Sequence, residues 1–151
     1  MLHNTLAFAA RIEDMRSRLG LCLGLPGSAY TVLTTVAHLE GDEGVGVSAV
    51  AEHLHLSGAA VTIEVNRLVR LGYVDKRSNT FDRRRVLLRV TDQAKAALDR
   101  LTTVQAPAND ALFACLDPAR FEQFATIMSE LVPCADDALE LLQPAARRAA
   151  S

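Results

Sequence analysis

The sequence predicts a mainly α-helical fold with a small β-hairpin wing: a winged helix-turn-helix flanked by N- and C-terminal dimerisation helices. Three observations carry this. Two short helical segments with apolar stripes meet at a tight turn between Ser48 and Arg70. Gly72 stops the second of them, and two alternating strands follow. The loop between those strands, SNTFDRRR, holds turn residues and three consecutive arginines. Helix, turn, helix and basic hairpin, in that order, is the winged-helix plan.

Taken from the start, Thr5 to Leu19 read as a first helix, with Leu6, Ala9, Ala10, Ile12 and Leu19 mostly on one side. Gly20, Gly24, Pro26 and Gly27 are expected to break it. Ser28 is placed to cap a second helix over Ala29 to Glu40, whose Val32, Leu33, Val36 and Leu39 form a core stripe. Gly41-Asp42-Glu43-Gly44 follows. It lacks the GxGxxG spacing and long flanking strand of a phosphate-binding loop, so it reads as a turn. Val45-Gly46-Val47 reads as a minimal strand.

Ser48 is the expected N-cap of the next helix, in which Val50, Ala51 and Leu54 make one apolar side. That helix should end around His55, with Leu56 tucked into the core at the turn. Ser57 offers another N-cap, its hydroxyl accepting from free amides of the following turn. Val61, Val65, Leu68 and Val69 then fall at i, i+4, i+7 and i+8, one stripe facing inward. Ala59, Thr62, Ile63, Asn66 and Arg70 lie on or near the opposite side. Tyr73-Val74 begin an extended run, and Val86, Leu88 and Val90 alternate with Leu87 and Arg89 as a second strand would.

Thr91 looks like the N-cap of a helix through Ala94, Ala97, Leu98 and Leu101, running to about Gln105 before Pro107 interrupts or kinks it. Asn109 to Leu116 is helical again. Asp117-Pro118 is a start signal, a cap residue followed by proline at the first helical position. The helix it opens is expected to bury Phe121, Phe124, Ile127, Met128 and Leu131, and to end or kink at Pro133. Cys134 to Leu142 would be a last helical piece. The whole reads as one domain over 1–151, with the winged lobe at 28–104 and dimerisation helices at 1–27 and 105–151. The terminal stripes are wider than a small winged helix needs for its own core, which favours a homodimer. Dimerisation would set two recognition helices about 34 Å apart in successive major grooves.

Composition narrows the function. Half of the 151 residues are hydrophobic and 5% aromatic, a balance suited to helices packed by Leu, Val and Ala. No apolar run approaches the roughly 18 residues that span a membrane. The N-terminus carries charges inside its apolar pattern, unlike a signal peptide, so a cytoplasmic protein is expected. The net charge of −2 conceals an asymmetry. From Glu64 to Arg89, eight basic residues face three acids, a net of +5, so the remainder carries −7. A basic patch on an otherwise acidic protein is the footprint of a surface that binds double-stranded DNA.

Within that patch, Arg83, Arg84 and Arg85 are suited to phosphates or to a narrow minor groove. Thr62, Ile63 and Asn66 would face base edges, Asn66 with the amide that can bond adenine. Ser57 caps the helix, and the small Gly58 and Ala59 let its backbone amides approach phosphates. Arg67 completes the basic side of the helix and stands three residues from Glu64, within pairing distance.

No nucleophile–base pair, carboxylate dyad or phosphate loop marks an enzyme, and no cofactor is expected. His53 and His55 diverge by about 200° on a helix, which argues against a zinc site. Cys22, Cys115 and Cys134 are odd in number, widely spaced and without a CxxC pair, as reduced thiols are. Cys22 reads as a buried structural thiol rather than a redox sensor.

Two stretches carry a family resemblance. One is Gly24-Leu25-Pro26-Gly27-Ser28-Ala29-Tyr30-Thr31-Val32-Leu33, leading into the second helix. The other is the wing, with Arg77, then Asp82-Arg83-Arg84, then Val90-Thr91. Over about residues 5 to 132 the chain resembles the MarR family of bacterial transcription regulators. The resemblance implies a homodimer built on the terminal helices and repressor-type binding to palindromic DNA, often relieved by a small aromatic ligand or by cysteine oxidation. It implies that Arg77 contacts DNA and that Asp82 pairs with Arg84 to shape the wing tip. It also implies an effector site between the DNA-binding lobe and the dimerisation helices, with Arg11, Met15, Tyr30 and His38 as candidates. The chain departs from the family pattern at Ile63 (where an arginine is common), Glu64 (usually apolar), Gly58 and Ala59 (usually bulkier) and Ala94 (often glycine). These departures bear on base preference, not on the fold. The competing reading is a winged-helix interaction module without specific DNA binding.

Overall fold

The computed structural model describes residues 2–78 and 86–149. Its elements run α1 (Leu2–Cys22), α2 (Gly27–Leu39), β1 (Val45–Gly46), α3 (Val47–Leu54), α4 (Gly58–Arg70), β2 (Val74–Ser78), β3 (Val86–Val90), α5 (Asp92–Phe113) and α6 (Pro118–Ala149). The chain divides into two compact units, Met1–Gln105 and Ala106–Ser151. Asp82, Arg83, Arg84 and Arg85 lie outside the described residues. Among the described residues no single helix is long and apolar enough to cross a membrane.

The core of the first unit gathers α2, α3, α4 and the sheet. Leu25, Val32, Leu33, Val36, Val50, Val61, Val65, Leu68, Val74 and Leu88 are its largest fully buried side chains. On α4 the stripe closes as its spacing predicts at Val61, Val65 and Leu68, while Val69, at the edge of the stripe, is 36% exposed. The sheet is antiparallel in the order β1-β3-β2, with Val74 opposite Val90 and Lys76 opposite Leu88. β1 pairs with β3 only at Leu88 and Leu87, so it stops short of Val90. There the Glu40 carboxylate takes the place of a strand, accepting from the Val90 amide at 2.6 Å.

Several local signals operate as read. The Ala60 amide donates to Ser57 Oγ (3.1 Å), the Ala94 amide to Thr91 Oγ1 (3.1 Å) and the Arg120 amide to Asp117 Oδ1 (2.9 Å). Gly72, at φ +73°, ends α4 in the left-handed conformation, and the Tyr73 amide returns to the Leu68 carbonyl at 2.9 Å.

Others are overturned. Ser28 does not cap α2, whose N-cap is Pro26, and Ser48 lies inside α3, whose N-cap is Gly46. In both cases a glycine or proline with extended backbone supplies the geometry and no side chain closes the first turn. Leu56 is 46% exposed, because His55 turns left-handed (φ 51°) and directs the next residue outward. Gly20 does not break α1, which continues to Cys22. It is buried where a Cβ would stand 2.9 Å from the Leu25 carbonyl oxygen and 3.1 Å from Tyr30 Cβ, so glycine there serves close packing rather than termination.

The prolines also fail to divide the last helices. α5 runs through Pro107, and α6 through Pro133 and Pro144. Each proline forfeits one backbone bond, but its fixed φ is itself helical and Ala follows close behind each. In the second unit Phe113 meets Phe121 edge-on at 5.2 Å and Phe124 at 6.1 Å. α6 nevertheless has no buried residue: Phe121, Ile127, Met128 and Leu131 are 39–52% exposed, contrary to expectation.

Candidate nucleic-acid interface

One side of α4 is fully buried, and the other presents Ala59, Thr62, Ile63 and Asn66 to solvent. Ile63 is 63% exposed, far more than core packing would leave it. The Thr62 hydroxyl donates back to the Gly58 carbonyl at 2.7 Å, which spends its proton and leaves the oxygen as an acceptor. Ser57, Gly58 and Ala59 sit together at the exposed N-terminal turn of α4.

Asn66 and Arg67 have partners that lie off the recognition face. The Asn66 Oδ1 accepts from Lys76 Nζ on β2 at 2.7 Å. Arg67 Nη1 stands 3.3 Å from Glu64 Oε2, the pair three residues apart that the sequence suggested. The Glu64 side chain is only 15% exposed, and its other oxygen accepts from the Ser28 hydroxyl at 2.8 Å. The acid that breaks the apolar pattern of α4 thus ties the recognition helix to the first turn of α2. Ser28, read as a cap, is instead a partner for this acid.

Strand alternation separates the basic residues of β2. Lys76 shares a face with Val74, opposite Leu88, and reaches α4; Arg77 lies on the other face, opposite Leu87, and is exposed. Lys76 was not singled out from the sequence. Its signal was present in the alternation: the residue two beyond a buried strand valine faces the helix that covers that valine.

The effector candidates stand on α1 (Arg11, Met15) and α2 (Tyr30, His38). Arg11 is exposed and donates to the Ala7 carbonyl at 2.7 Å, Met15 is half-buried, Tyr30 is buried, and exposed His38 lies against His53 with ring centroids 6.0 Å apart. Burial raises the Tyr30 pKa above its ordinary value, partly countered by the Arg16 guanidinium and assisted by Cys22. A separate cavity of about 320 Å³ is lined by Cys22, Leu23, Tyr73, Ala97, Arg100, Leu101 and Val104. Cys22 is exposed, not buried: it stands on the last turn of α1, where its thiol donates to the Arg18 carbonyl at 3.5 Å. Among the described residues no three His, Cys, Asp or Glu cluster as metal ligands would.

A helix with a buried stripe, preceded by a short helix across a left-handed turn and followed by a hairpin, defines a winged helix-turn-helix fold. Residues 23–85 match the sequence profile of the MarR family. Over the rest of the chain the fold is similar to that of solved MarR-family structures. Among similar structures is a MarR protein from Peptoclostridium difficile (TM-score 0.75, 17% identity, covering 91% of this chain and 88% of that one). Another is a MarR mutant from E. coli complexed with operator DNA (0.71, 17%, 87% and 92%). A third is the PcaV transcriptional regulator from Streptomyces coelicolor in complex with its natural ligand (0.63, 25%, 84% and 90%). No curated protein matches the chain.

Proposed function

We propose that the protein is a repressor that binds palindromic operator DNA as a homodimer and is released by a small aromatic ligand. The observation that carries the reading is the two-sidedness of α4. Val61, Val65 and Leu68 are completely buried, while Thr62, Ile63 and Asn66 stand exposed one turn apart beside a net-positive segment. In the major groove Ile63 meets a thymine methyl, Thr62 and Asn66 face base edges, and Ser57, Gly58 and Ala59 bring amides to the backbone. Arg67, Arg77, Asp82, Arg83, Arg84 and Arg85 make or shape the phosphate and minor-groove contacts. The operator-bound relative supports this assignment.

The homodimer reading rests on apolar surface that the chain leaves uncovered: Ile127, Leu131, Val132 and Leu139 on α6, and Leu2 and Leu6 on α1, are 52–76% exposed. The effector reading rests on family resemblance for Arg11, Met15, Tyr30 and His38, and on the ligand-bound relative. The cavity beside Tyr73 adds to it, because the Arg100 guanidinium in its lining suits a carboxylate.

The test is binding of the purified protein to the duplex upstream of its own gene, titrated against salt, with Arg84→Ala beside it. Specific binding that falls steeply as salt rises, and collapses in the variant, is expected. Equal, weak binding of both proteins to any duplex would overturn the reading in favour of an interaction module.

A further inference from the structure

The Asn66–Lys76 contact fixes which base edge α4 can read. A lysine ammonium offers only donors, so the atom facing it at 2.7 Å is the Asn66 carbonyl oxygen. The amide NH₂ is therefore turned away from β2, on the exposed side of α4, with no hydrogen-bond partner among the described residues. An asparagine that reads adenine does so with both ends of its amide. Nδ2 donates to N7, and Oδ1 accepts from the N6 amino group. Here Oδ1 stands against a full positive charge, which repels the positive edge of an amino group brought to the same oxygen. Guanine presents N7 and O6, both acceptors. It satisfies Nδ2 and the ammonium protons that Asn66 does not use.

From this geometry we infer that Asn66 and Lys76 act as one two-donor reading head that selects guanine at a single position of each half-site. The inference rests on the proposed docking of α4 in the major groove. Lys76 is then a specificity-determining residue supplied by the wing strand, and Ile63, one turn before Asn66, reads a neighbouring thymine methyl. Thymine O4, the other acceptor on that edge, offers one site where guanine offers two, so the pair discriminates against it as well.

The test selects duplexes from a random-sequence library with wild type, Lys76→Met and Asn66→Ala. Wild type is expected to enrich guanine at one position per half-site. Asn66→Ala loses selectivity at that position alone. Lys76→Met, which keeps the stem and removes the charge, frees the amide and admits adenine there. Replacing the selected guanine by 7-deazaguanine weakens wild-type binding about tenfold, the scale of one lost base contact. That arm needs no variant to fold. Enrichment of adenine by wild type at the Asn66-dependent position would overturn the inference. So would a Lys76→Met profile identical to wild type with uniformly weaker binding, since Lys76 would then be a phosphate contact. Either result leaves DNA recognition by α4 intact. If wild type enriches no sequence, the regulator reading falls and the inference falls with it.

Discussion

Replacing Glu64 by alanine tests whether the acid on the recognition helix stabilises the fold. Glu64 accepts the Ser28 hydroxyl at 2.8 Å and faces Arg67 at 3.3 Å, with its side chain 15% exposed and that of Arg67 38% exposed. A hydrogen bond to a charged group contributes about 1.5–3 kcal/mol. The lower end applies, because Ser28 is exposed and water re-solvates its hydroxyl when the partner is lost. The Arg67 pair adds only about 0.2–1 kcal/mol, discounted for solvent screening. Against these stand the relief of a half-buried charge and the better helix propensity of alanine, together about 0.5–1 kcal/mol. A net loss of about 1–2 kcal/mol follows, equivalent to roughly 3–6 °C in Tm for a chain of this length.

Thermal and urea unfolding followed by far-UV circular dichroism, at one fixed protein concentration, measures it. Glu64→Gln, which keeps an acceptor for Ser28, should lose about half as much. The Ser28→Ala and Glu64→Ala double-mutant cycle should show a coupling of about 1 kcal/mol. Glu64→Ala within about 0.3 kcal/mol of wild type, or strictly additive single effects, would refute the argument. The acid would then be a tolerated departure from the apolar pattern and not a tie between α4 and α2.

Further outcomes follow from the same geometry. Gly20→Ala should destabilise by about 1–3 kcal/mol in the same unfolding assay, since the added Cβ meets the Leu25 carbonyl at 2.9 Å and neither backbone can give way cheaply. Burial raises the Tyr30 pKa in the folded state, so its contribution to stability is full below pH 10 and is lost as pH rises from there through the folded value. Unfolding measured between pH 8 and 11.5 should show that alkaline loss in wild type and a shallower one in Tyr30→Phe. Ile127→Glu with Leu131→Glu, at positions 52% exposed in the single chain, should leave the fold intact. Sedimentation equilibrium should show the dissociation constant of the proposed dimer raised at least about thirtyfold, the effect of about 2 kcal/mol of unpaired charge in an interface.

Much of the fold was legible because its signals are local. Val61, Val65 and Leu68 are a helical stripe whatever surrounds them, and Ser57, Thr91 and Asp117 close their helices with their own side chains. The misreadings came where a residue answers to something distant in sequence. Gly20 looks like a helix stop until the Leu25 carbonyl and Tyr30, brought in by the turn into α2, occupy the space its side chain would need. Ser28 looks like a cap until Glu64, 36 residues on, takes its hydroxyl. The apolar row on α6 looks like core in sequence and is exposed in the folded chain, because periodicity identifies a face that must be covered and not what covers it.

The same distinction governs the interface. Read along α4 alone, Asn66 is an adenine reader and Arg67 a cation paired only with its helix neighbour Glu64. In the folded chain the oxygen that adenine would need is held by Lys76, and part of the Arg67 charge is returned to Glu64. Neither partner belongs to the exposed row of α4: one stands on the wing strand, the other at the margin of the buried stripe. A recognition helix therefore cannot be decoded letter by letter from its exposed residues. What each side chain offers to DNA is what its neighbours have left unused, and here that remainder is weighted toward donors and an apolar Ile63. An operator matched to this surface would carry acceptors and methyl groups, guanine beside thymine, along the strand edge that α4 faces.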